Sequence, residues 1–174
     1  NPQADTYTLT ARTDLPSITG VRIEVIQDPS LPQHGPGRDP EGNFFLSALE
    51  IETAPADKAD AAKPSGKVAF KEAIADEEQS GYGIKNLLKA SEEGPKGWAI
   101  EPAPSSKPFT RQAVLIPDKP FGFEHGTLLT IRLKHEMRHA SRNLGRFRLS
   151  LTSSADPKFI AQIPARVRPF VDIS

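Results

Sequence analysis

The sequence contains no cysteine, which excludes disulfides, thiolate-held zinc, iron–sulfur clusters and covalent haem attachment within this segment. One Met, one Trp and two Tyr leave few large planar or adaptable side chains. Neither sign of charge dominates. The 22 Lys and Arg are matched by 22 Asp and Glu, so a global footprint for nucleic acid or an anionic membrane is missing, and any such partner needs a local patch. Apolar runs fall far short of the roughly 20 residues that span a bilayer, so no transmembrane segment is expected. The start, NPQADTYTL, lacks both an initiating Met and a charged region followed by an apolar one. The expectation is a processed or excised piece, one domain of a longer polypeptide.

What the sequence has in quantity is punctuation. Seventeen Pro and twelve Gly in 174 residues describe many short elements joined by loops, as in an all-β fold. At this length folding removes roughly 70% of the unfolded chain's surface from water, enough for one domain with a full core.

Leu144–Thr152 (LGRFRLSLT) is the clearest strand: Phe147, Leu149 and Leu151 alternate with Arg146, Arg148 and Ser150, the two-residue period of a strand with one buried face. Tyr7–Arg12, Val21–Ile26 and Thr127–Lys134 alternate in the same way, and Asn43–Thr53, Arg111–Ile116 and a short Lys67–Phe70 read as further strands. Gly83–Ala90 predicts one or two helical turns with Ile84, Leu87 and Leu88 on one side. Seven or eight strands with little helix predict an antiparallel two-sheet β-sandwich or jelly roll. Asp28–Gly42 (DPSLPQHGPGRDPEG) is a long loop with glycines that permit close backbone approach to a ligand or neighbour. Ala54–Gly66 (APADKADAAKPSG) predicts a solvated, mobile loop.

Four groupings carry candidate chemistry. His135–His139 spells HEMRH and matches H-E-x-x-H, in which a helix presents two imidazoles to zinc and a Glu acts as general base. The preceding residues have strand period, however, and no His or Glu follows His139. A polar hairpin loop is the competing reading. Asp39, Glu41 and Asn43 alternate oxygen ligands that a structural calcium ion could use, against ordinary turn chemistry. Arg138, Arg142, Arg146 and Arg148 form a basic cluster near His135 and His139, read either as a solvated sheet face or as a contact for an anionic or protein partner. Sugar recognition needs an aromatic platform with planar hydrogen-bonding groups, for which Tyr82, Trp98, His34 and Arg38 are the candidates. An isolated tryptophan is more often core than contact surface.

Three blocks, GPGRDPEGNFFLSALEI (Gly35–Ile51), AIADEEQSGYGIKNLL followed by GWAI (Ala73–Ile100) and HASRNLGRFRLSLTS (His139–Ser153), together resemble the module lying between two domains of unknown function in large planctomycete-type cytochrome c proteins. The resemblance spans roughly Tyr7 to Ser154. It implies a galactose-binding or discoidin-like jelly roll, noncatalytic, in a periplasmic or extracellular protein, with a polysaccharide or glycan and the neighbouring domains of the same polypeptide as partners. His139 fits the family's pattern of a histidine before the GRFRLS strand and, with Arg146 of the basic cluster, is a ligand-binding candidate. The family's acidic loop before GWAI, similar to DGDxxTGWA, is here KASEEGPKGWA, with Glu92 and Glu93 for Asp and Lys96 for Thr. The haem-binding C-x-x-C-H belongs to another part of those proteins and is absent. Residues 1–162 are expected to form the sandwich, and Ile163–Ser174 looks like a tail or the beginning of a further domain.

Overall fold

The computed structural model describes residues 4–57, 66–88, 96–100, 110–136 and 142–158. Among them are ten strands: β1 (Asp5–Thr13), β2 (Gly20–Ile26), β3 (Phe45–Leu46), β4 (Ala48–Pro55), β5 (Gly66–Lys67), β6 (Phe70–Ala75), β7 (Trp98–Ala99), β8 (Arg111–Pro117), β9 (Thr127–His135) and β10 (Arg146–Thr152). One sheet runs β1-β9-β4-β5, the other β10-β2-β8-β6, and β3 pairs with β7. All of these pairings are antiparallel. The molecule is an all-β sandwich. Its long-range pairings put β1 and β4 on β9, and β2 and β6 on β8.

Alternation decides which side chains fill the space between the sheets. In β9, Leu129, Ile131 and Leu133 are buried while Leu128, Thr130, Arg132 and Lys134 are only half-buried. Opposite them Val21, Ile23 and Val25 of β2 and Ala113 and Leu115 of β8 close the core. The outer face of the first sheet carries an ionic ladder: Lys67 and Lys134 both reach Glu50, at 2.9 and 3.2 Å, and Arg132 reaches Glu52 at 2.7 Å. On the second sheet Arg148 grips the buried Glu24 through two nitrogens, at 2.7 and 3.1 Å.

Most expected strands are present, but the short strand expected over Lys67–Phe70 is split, Lys67 ending β5 and Phe70 opening β6. The Asn43–Thr53 strand is broken at Ser47, whose N–H and hydroxyl both bond the Lys134 carbonyl as the chain passes from β3, paired with β7, to β4, paired with β9. Phe70–Ala75, not foreseen as a strand, pairs with β8 across a register shift between Phe70 and Glu72. Ala54 is not part of a solvated loop: it is buried near the end of β4, opposite Leu128. Residues 58–65 of that expected loop, and the tail from 159 onward, lie outside the described residues. The predicted helical turns are a 3-10 turn, Ile84–Leu88, with Ile84 buried and Leu87 and Leu88 against the core. A second 3-10 turn covers Pro32–His34.

Candidate functional site

The described candidate residues sit on loops and strand ends, and one end of the sandwich is marked by Asp5 opposite His135 and Ile26 opposite Arg146. These loops hold one another. Gly37 forms a bridge with Leu144, Arg38 N–H donates to the Asn143 carbonyl, and Phe45 N–H donates to the Arg142 carbonyl. Phe45 and Leu46 pair with Ala99 and Trp98, and Ala99 N–H donates to the Tyr82 carbonyl. The glycines permit this closeness. A Cβ at Gly37 would overlap the Asn43 carbonyl, and one at Gly145 would overlap the Leu31 side chain. The close backbone approach foreseen for this loop is thus made to its own neighbours.

The centre of the end is the Leu144 carbonyl. Tyr7 hydroxyl donates to it at 2.9 Å and Arg38 Nε at 3.3 Å. Burial pushes the Tyr7 hydroxyl's pKa up, opposed by the positive charge and hydrogen bond of Arg38. Tyr7 also stacks on Phe147 at 6.1 Å and tilts against His135 at 4.7 Å, so β1, β9 and β10 meet through aromatic rings.

His135 continues the inward period of β9 and is 2% exposed. Its Nδ1 lies 3.2 Å from the Asp5 carbonyl; a carbonyl only accepts, so Nδ1 carries the proton and Nε2 is the bare nitrogen. Nε2 is buried with no partner among the described residues. Burial lowers the His135 pKa, against the opposing effect of Asp5. His135 is the last residue of a strand, so the first imidazole of the zinc motif is not presented from a helix, and Glu136 is exposed. His139 and Arg138 lie outside the described residues. Among the described residues no group of three or more His, Cys, Asp or Glu is placed to hold a metal ion. Ser47 Oγ bonds the Lys134 carbonyl and receives Glu136 N–H at 3.0 Å, so it is engaged by backbone on both sides.

The oxygens foreseen for calcium are held in a turn. Asp39 is buried, its Oδ1 accepts the N–H groups of Glu41 and Asn43 at 3.0 and 2.6 Å, and its Oδ2 lies 3.3 Å from Arg142 Nε. Both Asp39 carboxylate oxygens are thus engaged within the chain. Glu41 is exposed, and the buried Asn43 Oδ1 has no partner among the described residues.

The remaining candidates divide. Trp98 is fully buried, edge-on to Phe44 at 4.9 Å, with Nε1 donating to the Glu77 carbonyl. It offers no face to a sugar; its indole belongs to the core because the β3–β7 ribbon folds it inward. Tyr82 is half-buried, edge-on to Phe45 at 5.9 Å. His34 and Arg38 are exposed. His34 and Gln33 have φ of 54° and 51°, a left-handed conformation that non-glycine residues seldom adopt. In the basic cluster, each described arginine has an acidic partner from another part of the chain: Arg142 with Asp39, Arg146 with Asp28 and Arg148 with Glu24. What looked like a positive patch is largely a set of ties between segments. Glu92 and Glu93 lie outside the described residues.

Tyr7, Asp5 and Ser47 were not foreseen as part of this end. Extending the alternation of β9 by one residue, from Lys134 to His135, would have placed His135 inside beside Tyr7. Comparison of the chain with protein-family models, curated proteins and solved structures finds no match. Among the described residues no helix is long and apolar enough to cross a membrane.

Proposed function

We propose that the chain is a noncatalytic β-sandwich module of a larger exported, cytochrome-c-containing protein, and that its loop end binds carbohydrate or organises adjacent domains. The observation that carries this reading is the interlocking of that end around the Leu144 carbonyl. Reactive side-chain types there, Ser47, Asp39 and His135, are turned to backbone contacts, while His34 and Arg38 remain on the surface beside a half-buried Tyr82. A rigid end with exposed planar donors suits recognition better than chemistry. With Trp98 withdrawn, sugar contact rests on hydrogen bonds from His34 and Arg38 and on the accessible part of Tyr82, not on broad stacking.

Calorimetric titration with plant and algal polysaccharides tests the sugar reading. Saturable binding is expected, weakened about tenfold or more by Arg38→Ala, the loss of a charged hydrogen-bond donor, and also reduced by Tyr82→Ala. Thermal melts of both variants separate lost contacts from lost fold. Silence across the panel with intact protein leaves the domain-organising role, which predicts association with the flanking segments of the parent polypeptide.

A further inference from the structure

Among the described residues four strands form the margins of the two four-stranded sheets, and three are guarded. β5 has only two residues; β6 carries a register shift between Phe70 and Glu72; β10 presents the exposed Arg146 and Arg148. Short length, a bulge and charge are the devices by which sheets avoid pairing with other chains. β1 has none of them. It keeps nine residues in unbroken register with β9, contains no proline, and among the described residues its other side has no partner strand. Its outward side chains Thr6, Thr8 and Thr10 are exposed, and its charges are confined to Asp5 and Arg12 near its ends.

We infer that β1 pairs antiparallel with β1 of a second copy of this chain, about a two-fold axis at Leu9. This occupant is favoured by the strand's self-complementarity. With Leu9 opposite Leu9, Thr8 falls opposite Thr10, Tyr7 opposite Ala11, and Thr6 opposite Arg12. Threonine meets threonine on the outer face, a large ring meets a small side chain on the inner face, and no like charges are opposed. The inward and outward faces of the two copies also match, since the two-residue period is preserved across the junction. The two four-stranded sheets become one of eight, an isologous contact of the kind that closes as a dimer.

Sedimentation of the full chain up to roughly 1 mM, where a contact of millimolar affinity is half formed, tests this. A concentration-dependent dimer is expected. Thr8→Glu/Thr10→Glu opposes like charges in both symmetry-related pairs and weakens association about tenfold. Thr8→Glu/Thr10→Lys opposes unlike charges at the same places and restores it. Glu at position 8 also faces Arg132 of its own chain, so both variants are expected to fold, as melts at low concentration check. A wild type that stays monomeric, or three proteins with equal dissociation constants, overturns the inference. So does protection of the Thr8 and Thr10 amides from hydrogen exchange that does not depend on concentration, which would assign the margin to another strand.

Discussion

His135 is held between the sheets as the neutral imidazole, because burial disfavours its charged form. The unfolded chain takes up this proton near about pH 6.5 and the folded chain only at lower pH, so between those values the unfolded state binds more protons. Stability from this group is complete above about pH 6.5 and falls as pH drops toward the folded value. His135→Phe keeps a ring against Tyr7 but cannot titrate. Urea midpoints at about pH 7.5 and 5.5, on either side of the ordinary histidine value, should differ less in this variant than in the wild type; an undiminished difference would place the proton uptake elsewhere. Trp98 offers a second prediction at this scale. Trp98→Ala removes a fully buried indole and its bond to Glu77, and should cost about 3–5 kcal/mol in chemical denaturation. Periodicity could place neither ring. His135 stands one residue past the expected strand, and Trp98 lies in a two-residue strand too short to show a period.

At the level of elements, the loop end depends on backbones that touch. Gly37→Ala forces a methyl group into the Asn43 carbonyl, and should lower stability by about 1–3 kcal/mol, as overpacking does, seen as a lower urea midpoint. The ties between segments are unequal. Arg148→Ala removes two charge-assisted bonds from the buried Glu24, which keeps its ion pair with Arg22, whereas Arg146→Ala leaves Asp28 at the surface still bonded to Ser30. The first should cost about 1 kcal/mol more than the second, a difference that paired denaturation curves resolve. Strands with one wet face, β1, β9 and β10, were legible from their alternation. β8, buried on both faces, shows no alternation and was read as a strand, Arg111–Ile116, from its apolar run before Pro117, whereas β6 mixes Lys71 and Glu72 with Ala73 and Ile74 beside a register shift and was missed. The purpose of the arginines was also hidden, since their acidic partners Asp28, Asp39 and Glu24 are more than a hundred residues away in the chain.

For the molecule as a whole, the pairing order matters more than any contact. β1, β2, β3 and β4 never pair with one another; their partners are β5, β7, β8, β9 and β10. Residues 1–57 alone should therefore give the circular dichroism of an unfolded chain, and mixing them with residues 66–174 should restore the strand signal. A folded 1–57 fragment would contradict the topology. Such distant pairings also place folding in the slow range of milliseconds to seconds, or longer, because loop closure precedes the contacts that reward it. A ribosome making this protein would therefore hold out β1, β2 and β3 with no mates, and β4 with only the two-residue β5, until the C-terminal half emerges. The first third of the chain must be kept from neighbouring nascent chains, by holding factors or by speed of synthesis, for as long as its counterpart is still unwritten.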